Sequence, residues 1–296
     1  MNDNDGRLTG MLVGLSVSDS PDLTARGLHK MHLEHAFIEL ARQLLATGAN
    51  IAYGGDLRGG GFTERLMDLL HTYGKKNRPH KDRVREYLAW PLRAEALTKK
   101  EQEQLSWLEN VVTVKRMAEP PELPAPVPAK LRKRIADARA FSAMRECMAA
   151  DIDARIVLGG PVSGFKGRYP GVAEEALLTA AAGKPVYIIG GFGGCAKALA
   201  NLVRGDEAAD LTLDTLRCRD AGYAELLPYL EMDETFTAPL AGRGPEGLDN
   251  GLSGPENEAL FESADIDEVV ALMLRGLRNV QPRLRGRPPG RNCRPA

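Results

Sequence analysis

Residues 52–66 read AYGGDLRGGGFTERL. An apolar run, Asn50-Ile-Ala-Tyr53, stops at Gly54-Gly55, five glycines fall within residues 54–61, and FTERLMDLLHTYG then takes up helical spacing. That is a buried strand, a glycine loop and a helix. Working upstream, Gly10 to Ser18 (GMLVGLSVS) is another short apolar run that ends in small hydroxyl residues. Residues 28–47 follow, with Leu33, Phe37, Leu40 and Leu44 on one helical face and Gly48 as the stop. The order strand, helix, strand, glycine loop, helix is that of a parallel sheet with crossover helices. The expected fold class is α/β, a Rossmann-like open, mainly parallel sheet with helices on both faces.

Downstream the same figure returns twice. Ala154-Arg-Ile-Val-Leu-Gly-Gly160 and Lys184-Pro-Val-Tyr-Ile-Ile-Gly-Gly191 each end a strand in paired glycines before a helix. Between the two halves, LAWPL (88–92) and VVTVKRM (111–117) read as strands and 98–108 as a polar helix or turn. The run EPPELPAPVPAK (119–130) is a proline-rich connector, because proline can neither continue a helix nor donate to a central strand. Residues 130–150 form a helix, 236–257 a loop rich in Gly and Pro, and 265–279 a closing helix capped by an Asp. The expected organisation is a polar extension over 1–8, one α/β domain over 9–280, and a flexible Arg/Pro-rich tail over 281–296.

Composition narrows the class. The 296 residues are 43% hydrophobic, with 40 acidic and 39 basic side chains, enough for a substantial core. No stretch approaches the roughly 20 apolar residues of a membrane span. The start, MNDNDGRLTG, is polar where a secretory signal would be basic and then apolar, so a cytoplasmic location is expected. Residues 275–296 carry seven arginines and no acid, which leaves −8 on the preceding body of a chain whose net charge is −1. The tail has no aromatic residue for base stacking, so nucleic acid is not the expected partner. The cysteines are too scattered for a zinc site, and neither metal nor cofactor is expected.

Glycine is the informative residue, at 31 of 296. In an open parallel sheet ligands bind outside the carboxyl ends of the strands, where glycine lets backbone N–H groups and helix N-termini face an anion. Gly54-Gly55, Gly159-Gly160 and Gly190-Gly191 occupy three such ends and together read as a nucleotide-binding crevice. The P-loop pattern is absent, as is GxGxxG in a strand–turn–helix setting, which disfavours ordinary kinases, GTPases and NAD dehydrogenases. Beside the glycines lie Ser16, Asp56 and Arg58, then Phe62-Thr63 opening a helix, Lys166 and Arg168 in a long loop, and Gly171 with Glu174-Glu175 opening the next helix. The acids suit ribose hydroxyls and the cations phosphate. Glutamates in a first helical turn also have a plain role against the macrodipole. Arg145 reads equally as a solvated helical residue, and Arg155, in a buried strand, requires a partner.

AYGGDLRGGGFTERL, AMRECMAADIDARIVLGG (143–160), GFKGRYPGVAEEAL (164–177) and KPVYIIGGFGG (184–194), in that order, resemble the SLOG superfamily, the Rossmann-like group of the LOG phosphoribohydrolases and the DNA-processing protein DprA. The likeness spans about residues 9–279 and is greatest to the branch in the sensor half of Thoeris anti-phage effectors and the ADP-ribose-sensing region of TRPM channels. It implies binding of an ADP-ribose-derived nucleotide, cyclic forms included. The LOG enzymes imply an alternative, N-glycosidic cleavage with Arg145 and Glu175 catalytic. Their pattern of Arg, Met, Asp-Ala, PGGxGT and two glutamates is matched by Arg145, Met148, Asp153-Ala154, Gly159-Gly160, Pro170-Gly171 and Glu174-Glu175, but GGPVSGFKGRYPG replaces the compact PGGxGT. DprA implies a minor third reading, a DNA-associated protein. The resemblance also implies a homo-oligomer; sensors of that branch are usually fused to an effector, and with none visible beside the α/β region the chain is expected to pass its signal to a separate effector protein, to sequester the ligand or to degrade it, the absence being the main support for the enzyme alternative.

Overall fold

The computed structural model describes residues 8–55, 61–73, 83–90, 97–118, 126–206, 211–230, 232 and 235–284. Six strands, β1 (Leu12–Ser18), β2 (Asn50–Gly54), β3 (Val84–Leu88), β4 (Thr113–Arg116), β5 (Ala154–Gly159) and β6 (Val186–Ile189), form one all-parallel sheet in the order β4-β3-β2-β1-β5-β6. The expected Rossmann-like α/β architecture is observed. The chain builds outward from β1 to β4, then returns to lay β5 on the free side of β1, in register from Val13 opposite Ala154 to Ser18 opposite Gly159. That reversal between β1 and β5 is the topological switch point, where open α/β sheets hold ligands.

Strand alternation decides what each face receives. Val13, Leu15, Ile51, Tyr53, Ile156 and Leu158 face one way and meet α1 (Lys30–Ala46), α2 (Phe62–Tyr73), α3 (Lys99–Val111) and α10 (Ile266–Leu284). The stripe Leu33, Phe37, Leu40 and Leu44 of α1 is fully buried there, as its spacing requires. The opposite face is covered by α4 (Ala129–Asp151), α5 (Gly171–Ala181) and α6 (Gly194–Arg204), with Ala52, Tyr87, Met144 and Met148 in one cluster and Val157, Ile188, Ala176 and Leu199 in another. Two short helices, α7 (Leu213–Arg219) and α8 (Ala221–Ala224), pack against Leu131 and Ile135 of α4, and α9 (Gly254–Glu262) closes beside β6. Local signals set the ends: Thr98 with Glu101 and Ser253 with Glu256 are capping boxes, and the Asp265 carboxylate accepts from the backbone N–H groups of Asp267 and Glu268.

Three sequence readings need correction. The strand expected over 88–92 lies at Val84–Leu88, where Val84, Tyr87 and Leu88 supply the buried side chains; Ala89 and Trp90 are already outside it, and 91–92 lie outside the described residues. The Gly/Pro loop over 236–257 contains a 3-10 turn at Pro245–Leu248 and gives way to α9 at Gly254. Residues 281–284, expected in the flexible tail, are helical: α10 continues through Pro282 to Leu284, anchored by buried Val280 and by the Arg283–Asp249 ion pair, and the rest of the expected tail lies outside the described residues. One lost backbone bond is tolerated in a last turn.

At the amino-terminal end of the sheet, Asp151 ties α4 to the outer strands. Its carboxylate accepts from the Tyr87 hydroxyl at 2.6 Å and from Lys115 Nζ, with Arg85 at 3.6 Å. Burial pushes the carboxyl up, but the Lys115 and Tyr87 hydrogen bonds and the charges of Lys115 and Arg85 outweigh it and hold it below its ordinary 3.8. A depressed carboxylate stabilises above its unfolded value and loses that contribution as pH falls through the folded one. Asp151→Asn is therefore expected to cost about 1–2 kcal/mol at pH 7, the range being kept low because water reaches the cations. In urea melts the gap between the two proteins should close as pH falls below about 4; a gap that persists at low pH would contradict this assignment.

Candidate functional site

The site grows out of an irregularity in α4. Its buried stripe runs Leu131, Ile135, Ala138, Ser142, Arg145, Ala149, so two polar side chains stand where apolar ones would continue the pattern. Across from them α5 is buried nearly all round, including Glu174 and Glu175 at 2% and 7% exposure. Successive helical residues point about 100° apart, which divides the two acids. Glu174 turns to α4, where Arg145 Nη1 and the Ser142 hydroxyl donate to it. Glu175 turns to the sheet, where Arg155 Nη1 donates to Oε2 at 2.7 Å and the Ser16 hydroxyl donates to the same oxygen. Arg145 Nε lies 3.8 Å from Glu175 Oε1, so the four charges form one electrically balanced cluster. Burial lowers the Arg155 pKa while the charge of Glu175 works against that, and a guanidinium stays cationic throughout.

Ser16, Arg145, Arg155, Glu174 and Glu175 thus converge from β1, α4, β5 and α5 at the switch point. Gly54, at the end of β2, completes this group: a Cβ there would lie 3.5 Å from Glu175 Oε1 and 3.1 Å from Met144 Cε. Gly167 and Gly171 lie over Arg145, and a Cβ on either would run into its guanidinium. The long loop before α5 is therefore a cover on the cluster. It is pinned by the Tyr223 hydroxyl donating to the Arg168 carbonyl, by Tyr169 stacked on Phe236 at 4.0 Å, and by Arg168 paired with Glu146 at 2.7 Å.

Other sequence candidates have different places. Phe62 is a core residue, edge-on to Phe37 at 5.3 Å, and faces away from the cluster. A Cβ on Gly55 would run into Glu86 of β3 and into the fully buried Thr63, on the opposite face. Lys166 is exposed and Arg168 is turned to Glu146, so neither cation reaches the acids. Gly159 and Gly160 adopt positive φ (65° and 96°) and make room for Ser20, Leu33, Val172 and Cys195. Gly190 and Gly191 back directly onto the Phe261 and Ser263 carbonyls, and the N-terminus of α6 already holds the Asp22 carboxylate, which accepts from Gly194 N–H at 2.9 Å. The side of the third glycine pair where side chains would stand is thus taken up by packing against α9. Asp56 and Arg58 lie outside the described residues.

Arg155 and Ser142 are the members that sequence reasoning did not select. The available signals were an arginine inside an otherwise apolar strand and a polar break in the α4 stripe. Two surface cavities lie elsewhere, one of about 440 Å³ between α2 and α3 (Glu64, Asp68, Lys100, Trp107) and one of about 510 Å³ by Thr9, Gly48 and Arg83. Neither touches the charged cluster, which is the stronger candidate site: buried carboxylates and guanidiniums at a switch point outweigh open grooves between helices. Among the described residues no group of His, Cys, Asp and Glu is arranged to hold a metal, and no helix is long and apolar enough to cross a membrane.

A family model described as SLOG cluster2 matches residues 7–260. No curated protein matches the chain.

Proposed function

The chain belongs to the SLOG superfamily, and from that premise we propose that it binds an ADP-ribose-derived nucleotide, linear or cyclic, at the carboxyl ends of β1, β2 and β5. Membership itself carries the coarser function, binding or processing of a nucleotide. The observation that supports the finer reading is the orientation of Glu175. Its Oε2 is occupied from below by Arg155 and Ser16, while Oε1 is turned toward the bare backbone of Gly54. A carboxylate presented this way is an acceptor for ribose hydroxyls. Arg145 is the cation for a phosphate, which competes with Glu174 for it. In this reading the nucleotide is a signal in anti-phage or nucleotide signalling, the protein is a homo-oligomer, and a separate effector reads the bound state.

Cleavage of the N-glycosidic bond is the second reading, favoured by Arg145 and Glu175 standing 3.8 Å apart. It asks a carboxylate to serve the oxocarbenium-like centre or to activate water. Against it, the longer GGPVSGFKGRYPG stands where the LOG pattern has its compact PGGxGT, so the match to that catalytic pattern is incomplete.

One experiment separates the two. Purified protein is dialysed against ADP-ribose, cyclic ADP-ribose, NAD and AMP, and the retained and free pools are resolved by chromatography. Near-stoichiometric retention of intact ADP-ribose or its cyclic form is the expected result, with Glu175→Gln weakening it about tenfold or more through loss of a charged acceptor. Release of free base or ribose phosphate, abolished in Glu175→Gln, would replace the binding reading with the hydrolase.

A further inference from the structure

Arg155 occupies a place that packing alone does not ask for. It lies in β5, the strand next to β1 at the switch point, and is fully buried. A guanidinium there forfeits its hydration, and an apolar side chain would fill a strand interior at less cost. Room is made by Gly14, its partner across the β1–β5 ladder, where a Cβ would stand 2.9 Å from Ile152 Cδ1 and 3.4 Å from the guanidinium carbon. Lying across that bare backbone, Arg155 donates through Nε to Thr179 Oγ1 at 2.6 Å and through Nη1 to Ser16 Oγ and Glu175 Oε2, both at 2.7 Å.

The hydroxyls that accept from Arg155 pass the hydrogen bonds onward. Ser16 donates its proton to Glu175 Oε2, and Thr179 donates to the Glu175 carbonyl at 2.7 Å. Each route from the guanidinium therefore ends on Glu175, at its carboxylate or its main chain. A hydroxyl has one proton, so acceptance from Arg155 leaves each of them a single direction in which to donate. The arrangement fixes the rotation of the carboxylate as well as its position. One oxygen takes two donors from the protein, and the other meets Arg145 Nε only at 3.8 Å.

We propose that Arg155 is a positioning residue: through Ser16 and Thr179 it sets the Glu175 carboxylate with Oε2 held by the protein and Oε1 presented toward Gly54 as the acceptor for a ligand hydroxyl. The first half of this statement concerns the ligand-free protein. The second rests on the nucleotide-binding reading above.

The test treats the halves separately. In ligand-free protein carrying ¹³C-labelled glutamate, the Glu175 carboxyl resonance, assigned by its loss in Glu175→Gln, is compared in wild type, Arg155→Met, Arg155→Lys and Ser16→Ala. It is expected to move in Arg155→Met and Ser16→Ala and to return toward its wild-type position in Arg155→Lys, which restores a cationic donor. An unmoved resonance in Arg155→Met overturns the assignment; if that variant does not fold, an unmoved resonance in Ser16→Ala does so. Affinity is then measured for ADP-ribose and for analogues lacking the hydroxyls of one ribose or the other. Wild type should lose about tenfold on removal of the hydroxyl that Glu175 accepts from, and Arg155→Met should bind the two compounds nearly alike. Failure of wild type to bind ADP-ribose defeats the nucleotide reading and leaves the resonance to decide the positioning role. Binding in which Arg155→Met keeps the full hydroxyl preference defeats the positioning role for the ligand.

Discussion

Glu175→Leu is expected to destabilise the protein by about 3–5 kcal/mol, because it leaves the Arg155 guanidinium buried without its counter-charge. Every wild-type acceptor of that guanidinium is internal: Thr179, Ser16 and Glu175, at 2.6–2.7 Å. With a fully buried arginine, water cannot replace the carboxylate without opening the sheet–helix interface. At about 2–4 °C per kcal/mol for a chain of this size, the loss should appear as a fall in Tm of roughly 10 °C. The matching double variant, Arg155→Met with Glu175→Leu, should recover most of it, since replacing both members of a buried pair by apolar groups is often neutral or stabilising. Urea melts of the single and double variants form a thermodynamic cycle. A double variant destabilised by the sum of the two single losses would show that the pair is uncoupled and that Glu175 answers to some other partner.

Gly190→Ala and Gly191→Ala should be as damaging to the fold and harmless to the ligand. A Cβ on Gly190 would overlap the Phe261 carbonyl oxygen, and one on Gly191 that of Ser263. Both obstacles are backbone at the end of α9, so no side chain can swing aside. We expect a loss of about 3 kcal/mol for each. Gly164→Ala is the control: φ is +68° but the space is open, so only backbone strain of about 1–2 kcal/mol is added. Nucleotide affinity of the folded fraction should be unchanged in all three. A selective loss of affinity in Gly191→Ala, with stability intact, would return this pair to the binding crevice.

The three glycine pairs show how far sequence carries and where it stops. Strand, glycine and helix could be read at each, because hydrophobic period and chain breakers are local properties. What a glycine makes room for is decided by the chain that packs on it, and that chain is distant: Glu175 and Met144 at Gly54, Val172 and Cys195 at Gly160, Phe261 at Gly190. The acids of α5 were visible as a pair, with a helix-dipole role as the plain alternative, but their burial was not, since it depends on α4 lying across them. Arg145 was likewise readable as a surface residue until Ser142, one turn before it, joined it on the buried stripe. Lys166 and Arg168 carried the right charge in the right loop, yet Tyr169 and Gly167 are the residues that loop turns inward. The charge that serves Glu175, Arg155, stood out in its apolar strand as a residue in need of a partner, but which partner depended on α5 and β1, far away in the chain.

The pairing of β1 with β5 also has a kinetic meaning. Arg155 reaches Ser16 across 139 positions of chain, and Ser16 reaches Glu175 across 159. While the chain is being synthesised, β1 through β4 can pair among themselves, but the inner edge of β1 stays open until the second half emerges. Contacts of such separation form late, after the loop-closure entropy of the intervening chain has been met. The charged cluster can thus be assembled only once β5 and α5 have been made, and an amino-terminal fragment ending before β5 would present an unpaired apolar strand, prone to associate with other chains.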